Sequence, residues 1–269
     1  MSASLYALPG SNRVPGATIT VVDGLEDPDY PAGNLGILNP AKPAKLLEAA
    51  GAWLVDLGQA YAIDLAAIIH HNLAPEAVVL LEANSVDDWD AAPLSELMAV
   101  PDYDADGYPR NPWIDIAAIV PDAADRTYRY WRLSVTGSTD PVAIGELVLA
   151  SGRLTFEADL QPGLGDDEDI PSKEHKTDVT TAAYYVIGAK TRSWSGELDL
   201  TEEANIQAAR TLYQASHGKA LGFLIVPNPA VTDAWFARLD VAKYSASRRS
   251  PGHASLAIAF TEISRGLPL

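Results

Sequence analysis

The sequence predicts an all-β fold: one β-sandwich, then a second β-sandwich with one flanking helix. Three observations carry this. Short apolar runs with strand alternation recur between turn-rich segments, the pattern of sandwiches. A single segment, Thr201–His217, has helical spacing with start and stop signals. The charge also breaks near Ser151–Gly152: residues 1–152 hold seven basic and 21 acidic side chains, and residues 153–269 hold 12 and 15. The expected units are therefore 1–152, a sandwich with an extended N-terminal segment, and 153–269, a sandwich plus helix. With 269 residues, 48% of them hydrophobic, there is material for a real core.

Residues 1–50 are rich in Pro, Gly and Asn, and Tyr30–Pro43 (YPAGNLGILNPAKP) is turn chemistry, so this part wraps or anchors. Trp53, Val55 and Leu57 then alternate, and Gly58–Gln59 turns the chain. Ile63, Leu65, Ala67 and Ile69 form one apolar set, with Ala66 and Ile68 on the other face. A strand apolar on both faces is buried on both sides. Val78–Leu81 is a further run. Trp131, Leu133 and Val135 alternate with Arg132 and Ser134, and Ile144, Leu147 and Leu149 close the half.

Leu154–Leu160 opens the second half. Gln161–Lys176 reads as a loop, because its run Asp166–Asp169 has nothing to put in a core. Thr180–Ile187 is β-rich, with Ser193–Leu200 as its expected hairpin partner. In the helix, Thr201 is the expected N-cap, Glu202 and Glu203 suit the dipole, and Gly218 is the expected left-handed C-terminal cap. Ile206, Ala209 and Tyr213 share a face that covers a sheet. Leu221–Val226, Trp235–Tyr244 and Ala254–Ile263 complete the strands.

Composition excludes several function classes. There is no cysteine, so disulfides, zinc–thiolate sites and thiol nucleophiles are out. A net charge of −17 repels phosphate backbones, so no nucleic-acid partner is expected. MSASLYALPG has no basic stretch before an apolar run, so no signal peptide is expected, and no apolar run approaches a membrane span.

Motifs for chemistry are sparse, and no enzyme activity is expected. There is no G-x-S-x-G. His70 and His71, adjacent on a strand, point to opposite faces and make a poor metal pair; one packed and one at a turn with Asn72 is the better reading. Gly188-Ala189-Lys190-Thr191 lacks the glycine a phosphate loop needs before its lysine. Asp102-Tyr103-Asp104-Ala105-Asp106-Gly107 starts like a calcium loop, but Trp113 stands where the bidentate Glu belongs, and Pro109 and Pro112 forbid the following helix. Asp102, Asp104 and Asp106 are either an irregular calcium (Ca2+) site or a solvated acidic turn; no other cofactor is implied. Trp89, Tyr103, Tyr108 and Trp113 flank this region and would stack on sugars, anchor an interface or cover their own sandwich.

Ala52–Gly58 (AWLVDLG) resembles a strand of discoidin-like, galactose-binding-type jelly rolls. Ile63–Leu73 (IDLAAIIHHNL), Val78–Ser85 (VVLLEANS), Tyr128–Val135 (YRYWRLSV) and Ile144–Leu149 (IGELVL) resemble strands that follow in that fold. The resemblance covers about residues 30–150 and implies a sandwich used for glycans, lipids or protein contacts. His70–Leu73 is similar to discoidin-like domains of tailed-bacteriophage structural proteins. Arg192–Leu200 (RSWSGELDL), the helix and Ala254–Gly266 (ASLAIAFTEISRG) are similar to phage distal tail and baseplate ring proteins.

That second resemblance implies a structural component of a tail tip or baseplate, made in the host cytoplasm and located in the virion. It would be a homo-oligomeric ring, expected to be a hexamer, contacting the tail tube, other tail-tip or hub proteins and a host surface glycan, without membrane insertion. The alternative is a discoidin-type carbohydrate-binding module with no virion role. Arg248 and Arg249, in the expected exposed turn Ser245–Pro251, and Arg265 are the candidate interface cations.

Overall fold

The computed structural model describes residues 4–103, 109–156, 165–169, 172–176, 182–186, 191–200, 203–217, 220–226, 234–240, 244, 246–250 and 253–263. In chain order its strands are β1 (Ser4–Ala7), β2 (Thr18–Asp23), β3 (Ala44–Lys45), β4 (Gly51–Ala62), β5 (Leu65–His71), β6 (Val78–Asn84), β7 (Leu94–Met98) and β8 (Trp113–Asp115). The short helix α1 (Ile116–Ile119) follows, then β9 (Thr127–Thr136), β10 (Ala143–Ala150), β11 (Leu154–Phe156), β12 (Gly165–Asp169), β13 (Ser172–Lys176), β14 (Ala182–Val186) and β15 (Thr191–Leu200). Helix α2 (Glu203–Ala215) precedes β16 (Gly222–Val226), β17 (Trp235–Leu239), β18 (Ala246–Ser250) and β19 (His253–Glu262).

The first sandwich pairs a five-stranded sheet, β2-β4-β9-β6-β7, with a four-stranded sheet, β3-β10-β5-β8, antiparallel throughout. Alternation decides what lies between them. Trp53, Val55 and Leu57, Val79, Leu81 and Ala83, and Trp131, Leu133 and Val135 point inward onto Ala66, Ile68, Leu147 and Leu149. This is a jelly-roll sandwich, and it is followed by a second β unit with one flanking helix.

The two central strands of the four-stranded sheet, β5 and β10, are buried on both faces. Leu65, Ala67 and Ile69 of β5, with Val148 and Ala150 of β10, point away from the first core. They pack on Leu5 and Ala7 of β1, Leu224 and Val226 of β16, Ala234 and Phe236. Large aliphatic and aromatic side chains buried like these contribute about 1.5–3 kcal/mol each. The intervening residues Tyr6, Phe223 and Ile225 face the other way, onto Ile206, Ala209 and Leu212 of α2. The layers are therefore sheet, sheet, sheet, helix, and the seam between the units is dry.

Two asparagines, Asn111 buried and Asn12 half-buried, brace this seam. Asn12 lies on the segment crossing from β1 to the first sandwich; its Oδ1 accepts from Val14 and Leu149 N–H (3.1 and 3.0 Å), and its Nδ2 donates to Leu147 O (3.3 Å). Asn111 accepts from His70 N–H (2.9 Å) and donates to Ala234 O (2.8 Å). His71, 4% exposed, accepts the Leu73 N–H at Nδ1 and donates from Nε2 to Arg110 O. This agrees with the packed-histidine reading. Asn72 holds Pro141 O and Ala143 N–H at the adjoining turn.

Several expectations are corrected. Residues 1–152 were to be one unit, but β1 pairs with β11 and β16 of the second sheet, because its Leu5 and Ala7 are needed on the seam. Asp166–Asp169 lie not in a loop but in β12, paired with β15. The ladder uses backbone groups alone, and charges are tolerated on an outer strand. β14 pairs with β13, not with the Ser193–Leu200 strand, which lies between β12 and β19. Arg248 and Arg249 are not at a loop tip: they sit in β18, where the pairing with β19 shifts register between Arg248 and Ser250. The left-handed residue after α2 is His217, with φ 47°, while the expected caps Thr201 and Gly218 lie outside the described residues.

Alternation breaks at Gly145, where Ile144 turns inward opposite His71 and the neighbouring His70 has φ 52°. A Cβ at Gly145 would lie 2.5 Å from Pro40 O and 3.0 Å from His70 Cβ. Gly145→Ala is expected to destabilise the fold by about 1–3 kcal/mol through overpacking against backbone. Urea titration checks this, and an unchanged midpoint would contradict the tight approach.

Candidate ligand-binding face

With one sheet buried on both sides, the free face of the first sandwich is the outer face of β2-β4-β9-β6-β7. Arg132 of β9 stands at its middle, in register with Leu54 of β4 and Glu82 of β6. Its Nη2 and Nε reach Glu82 Oε2 at 2.7 and 2.8 Å. Glu82 is 6% exposed, so this pair is largely withdrawn from water.

Trp89 stacks over the Arg132 guanidinium, 4.7 Å from ring centre to Cζ, and remains half-buried. Local hydrogen bonds present it. Asn84 Oδ1 accepts from Ser85 N–H (2.7 Å), and Asn84 Nδ2 donates to Asp88 O (2.6 Å). The indole N–H donates to Asp87 Oδ1 at 2.8 Å, and Asp90 N–H to Asp88 Oδ1 at 3.2 Å. Asp87, Asp88 and Asp90 are exposed around the ring.

Next along β9, Arg129 meets both oxygens of Asp56, at 2.6 and 2.7 Å, and lies over the Tyr130 ring at 4.8 Å. The Arg129 hydrogen bond holds the Asp56 carboxyl below the ordinary carboxylate range. The face thus offers an aromatic platform with carboxylates and guanidinium N–H groups at its rim. Such a surface can stack on the C–H face of a sugar ring and bond its hydroxyls.

A cavity of about 230 Å³ lies at the seam. It is lined by Leu8, Val148, Phe223, Phe236 and Ile263 with Asn12, and Leu38 (φ 56°) and Leu221 stand exposed on its rim.

Most of the residues expected from sequence lie outside the described residues or apart from this face. Asp102 is exposed, while Asp104 and Asp106 lie outside the described residues, as do Tyr108 and Arg265. Among the described residues no group of three His, Cys, Asp or Glu side chains could hold a metal. Tyr103 is exposed, and Trp113 is not a loop aromatic but begins β8 and packs on the seam. Of the described members of that set, Trp89 belongs to the face. Arg132, Glu82, Arg129 and Asp56 were missed; for Arg132, Glu82 and Asp56 the signal was outward parity on otherwise apolar strands, whereas Arg129 shares the parity of inward Trp131 and carried no such signal.

No protein-family model and no curated protein matches the chain. Among solved structures it is similar to a Streptococcus pneumoniae fucose-binding module, SpX-3 (TM-score 0.39, 11% identity, 52% of this chain and 98% of that one). It is also similar to the lectin domain of lectinolysin in complex with Lewis B antigen (0.39, 10%, 52% and 96%). A third is chitosan-binding module 1 from the chitosanase/glucanase of Paenibacillus sp. IK-5 (0.36, 14%, 51% and 96%). The fold of the present chain is defined by its own sheets: a jelly roll docked on a second β unit.

Arg132→Ala is expected to destabilise the protein by about 1–3 kcal/mol, since it strands a buried carboxylate. Adding Glu82→Leu should recover most of that loss. A double-mutant cycle measures it, and additive losses would show that the two side chains do not act as a pair.

Proposed function

We propose that this chain is a non-catalytic recognition protein: the jelly roll binds a glycan through the Trp89 face, and the second unit mounts it rigidly. The observation that carries the reading is the half-buried Trp89, stacked on Arg132 and ringed by polar groups on the face of the first sandwich that the seam leaves free. Glycan-array screening followed by calorimetry tests it. Trp89→Ala should weaken binding tenfold or more with little change in melting temperature, in line with about 1–3 kcal/mol for one stacking aromatic. Absence of wild-type binding to neutral, amino and acidic glycans alike would overturn it.

A second reading is the structural component of a phage tail tip or baseplate: a homo-oligomeric ring contacting the tail tube and hub proteins, with Arg248, Arg249 and Arg265 meeting acidic neighbours. One feature favours it. β12 and β13 run against β15 and β14 as a ribbon, and its outer pair, β13–β14, forms a separate two-stranded sheet. An isolated two-stranded ribbon is marginal in water and gains stability by lying on something else. Native mass measurement is expected to give a ring-sized oligomer on this reading; a monomer at every accessible concentration counts against it.

A further inference from the structure

We propose that Glu146 is a proton-dependent latch on the seam: protonated, it lets the crossing segment at Asn12 close over β10; ionised, it loosens that segment and admits water. Glu146 is 0% exposed and lies on the seam side of β10, between Leu147 and the tight turn of the strand at Gly145. Its one hydrogen bond is long, 3.5 Å from Asn12 Nδ2 to Oε1, and Oε2 has no partner. The same Asn12 amide also serves Leu147 O. A carboxylate so placed lacks the donors that would stabilise its charge, whereas the neutral acid needs far less.

Among the described residues, the neighbouring elements supply no compensating cation. On β5, His71 is held neutral, its pKa lowered to about 4 by burial, and His70 is tied through its backbone to Asn111. On the crossing segment, Arg13 stacks over Tyr61. At the ends of β10, Lys45 lies over Tyr30, and Asp64 is engaged by Arg126. β1 and β16 face the seam with Leu5, Ala7, Leu224 and Val226. Burial accordingly raises the Glu146 pKa to about 8, with the Asn12 hydrogen bond opposing it.

The sign follows from linkage. Glu146 favours the closed seam fully below the ordinary glutamate value of 4.5, and that contribution is lost as pH rises toward 8. His71 acts in the opposite sense, losing stability as pH falls from 6.5 toward 4. The two offset each other between 4.5 and 6.5, so the latch is exposed to measurement above 6.5.

Hydrogen exchange on the full chain tests it, with Val14 and Leu149, whose amides Asn12 holds, as reporters, and Leu133 in the first core as control. Between pH 6 and 9, after correction for intrinsic rates, reporter protection should fall on the order of a hundredfold relative to Leu133. Glu146→Gln should abolish that dependence. Equal behaviour of reporters and control, or the same loss in the variant, overturns the latch. If the variant does not fold, the carbon-13 carboxyl titration of wild-type Glu146 decides: a midpoint near 8 supports it, and one near 4.5 overturns it.

Discussion

The fold turns on one sheet whose two central strands are covered on both sides. β5 and β10 are covered on one side by the jelly-roll core and on the other by β1 and β16. A sandwich ordinarily leaves both outer faces solvated, so its strands alternate apolar and polar. Here that freedom is gone for one sheet. Leu65–Ile69 must be apolar throughout, and β10 is buried at every position from Ala143 to Ala150. The N-terminal strand has to reach past the first sandwich to help cover it. A joint of this kind differs from a flexible tether. Moving one unit on the other would expose Leu65, Ile69, Leu224 and Phe236 together, so the free face of the jelly roll is held in a fixed orientation.

A dry seam sets strict terms for polar groups that enter it. Asn12 and Asn111 meet those terms because an amide both donates and accepts, and each finds partners on more than one segment. His71 meets them by staying neutral, with one ring nitrogen donating and the other accepting. Glu146 does not: it has two oxygens and one distant donor. The contrast among three side-chain types in one environment is what singles this residue out, since an apolar residue or a Gln of similar shape would avoid the cost.

Much of the first sandwich was legible because period-two patterns report burial directly. Both apolar faces of Ile63–Ile69 were visible as such. What covers the second face was not, because β1 has four residues and no period to read, and its partners in β16 lie more than 200 residues away. The acidic Asp166–Asp169 misled for a related reason: strand pairing uses backbone groups, which composition does not reveal. The Thr180–Ile187 run was correctly β-rich, but its pairing partner depends on register. The Arg132–Glu82–Trp89 stack was hidden by ordinariness. Each residue alone reads as a solvated side chain, and only the sheet register and the Asn84-anchored turn bring them together.

Electrostatics narrows what such a face can recognise. Residues 1–152 carry seven cations against 21 carboxylates, and several of those cations are already engaged: Arg126 by Asp64, Arg129 by Asp56 and Arg132 by Glu82. The charges left around Trp89 are Asp87, Asp88 and Asp90. An anionic ligand would approach a negative surface and meet guanidinium groups whose carboxylate partners it would have to displace, losing hydrogen bonds as it formed new ones. A neutral ring faces neither obstacle. It needs an exposed aromatic plane and hydrogen-bonding groups fixed before it arrives, and Arg132 is fixed because Glu82 holds it. On the proposed reading, the internal ion pair would serve recognition by removing the entropy of a loose arginine from the binding step.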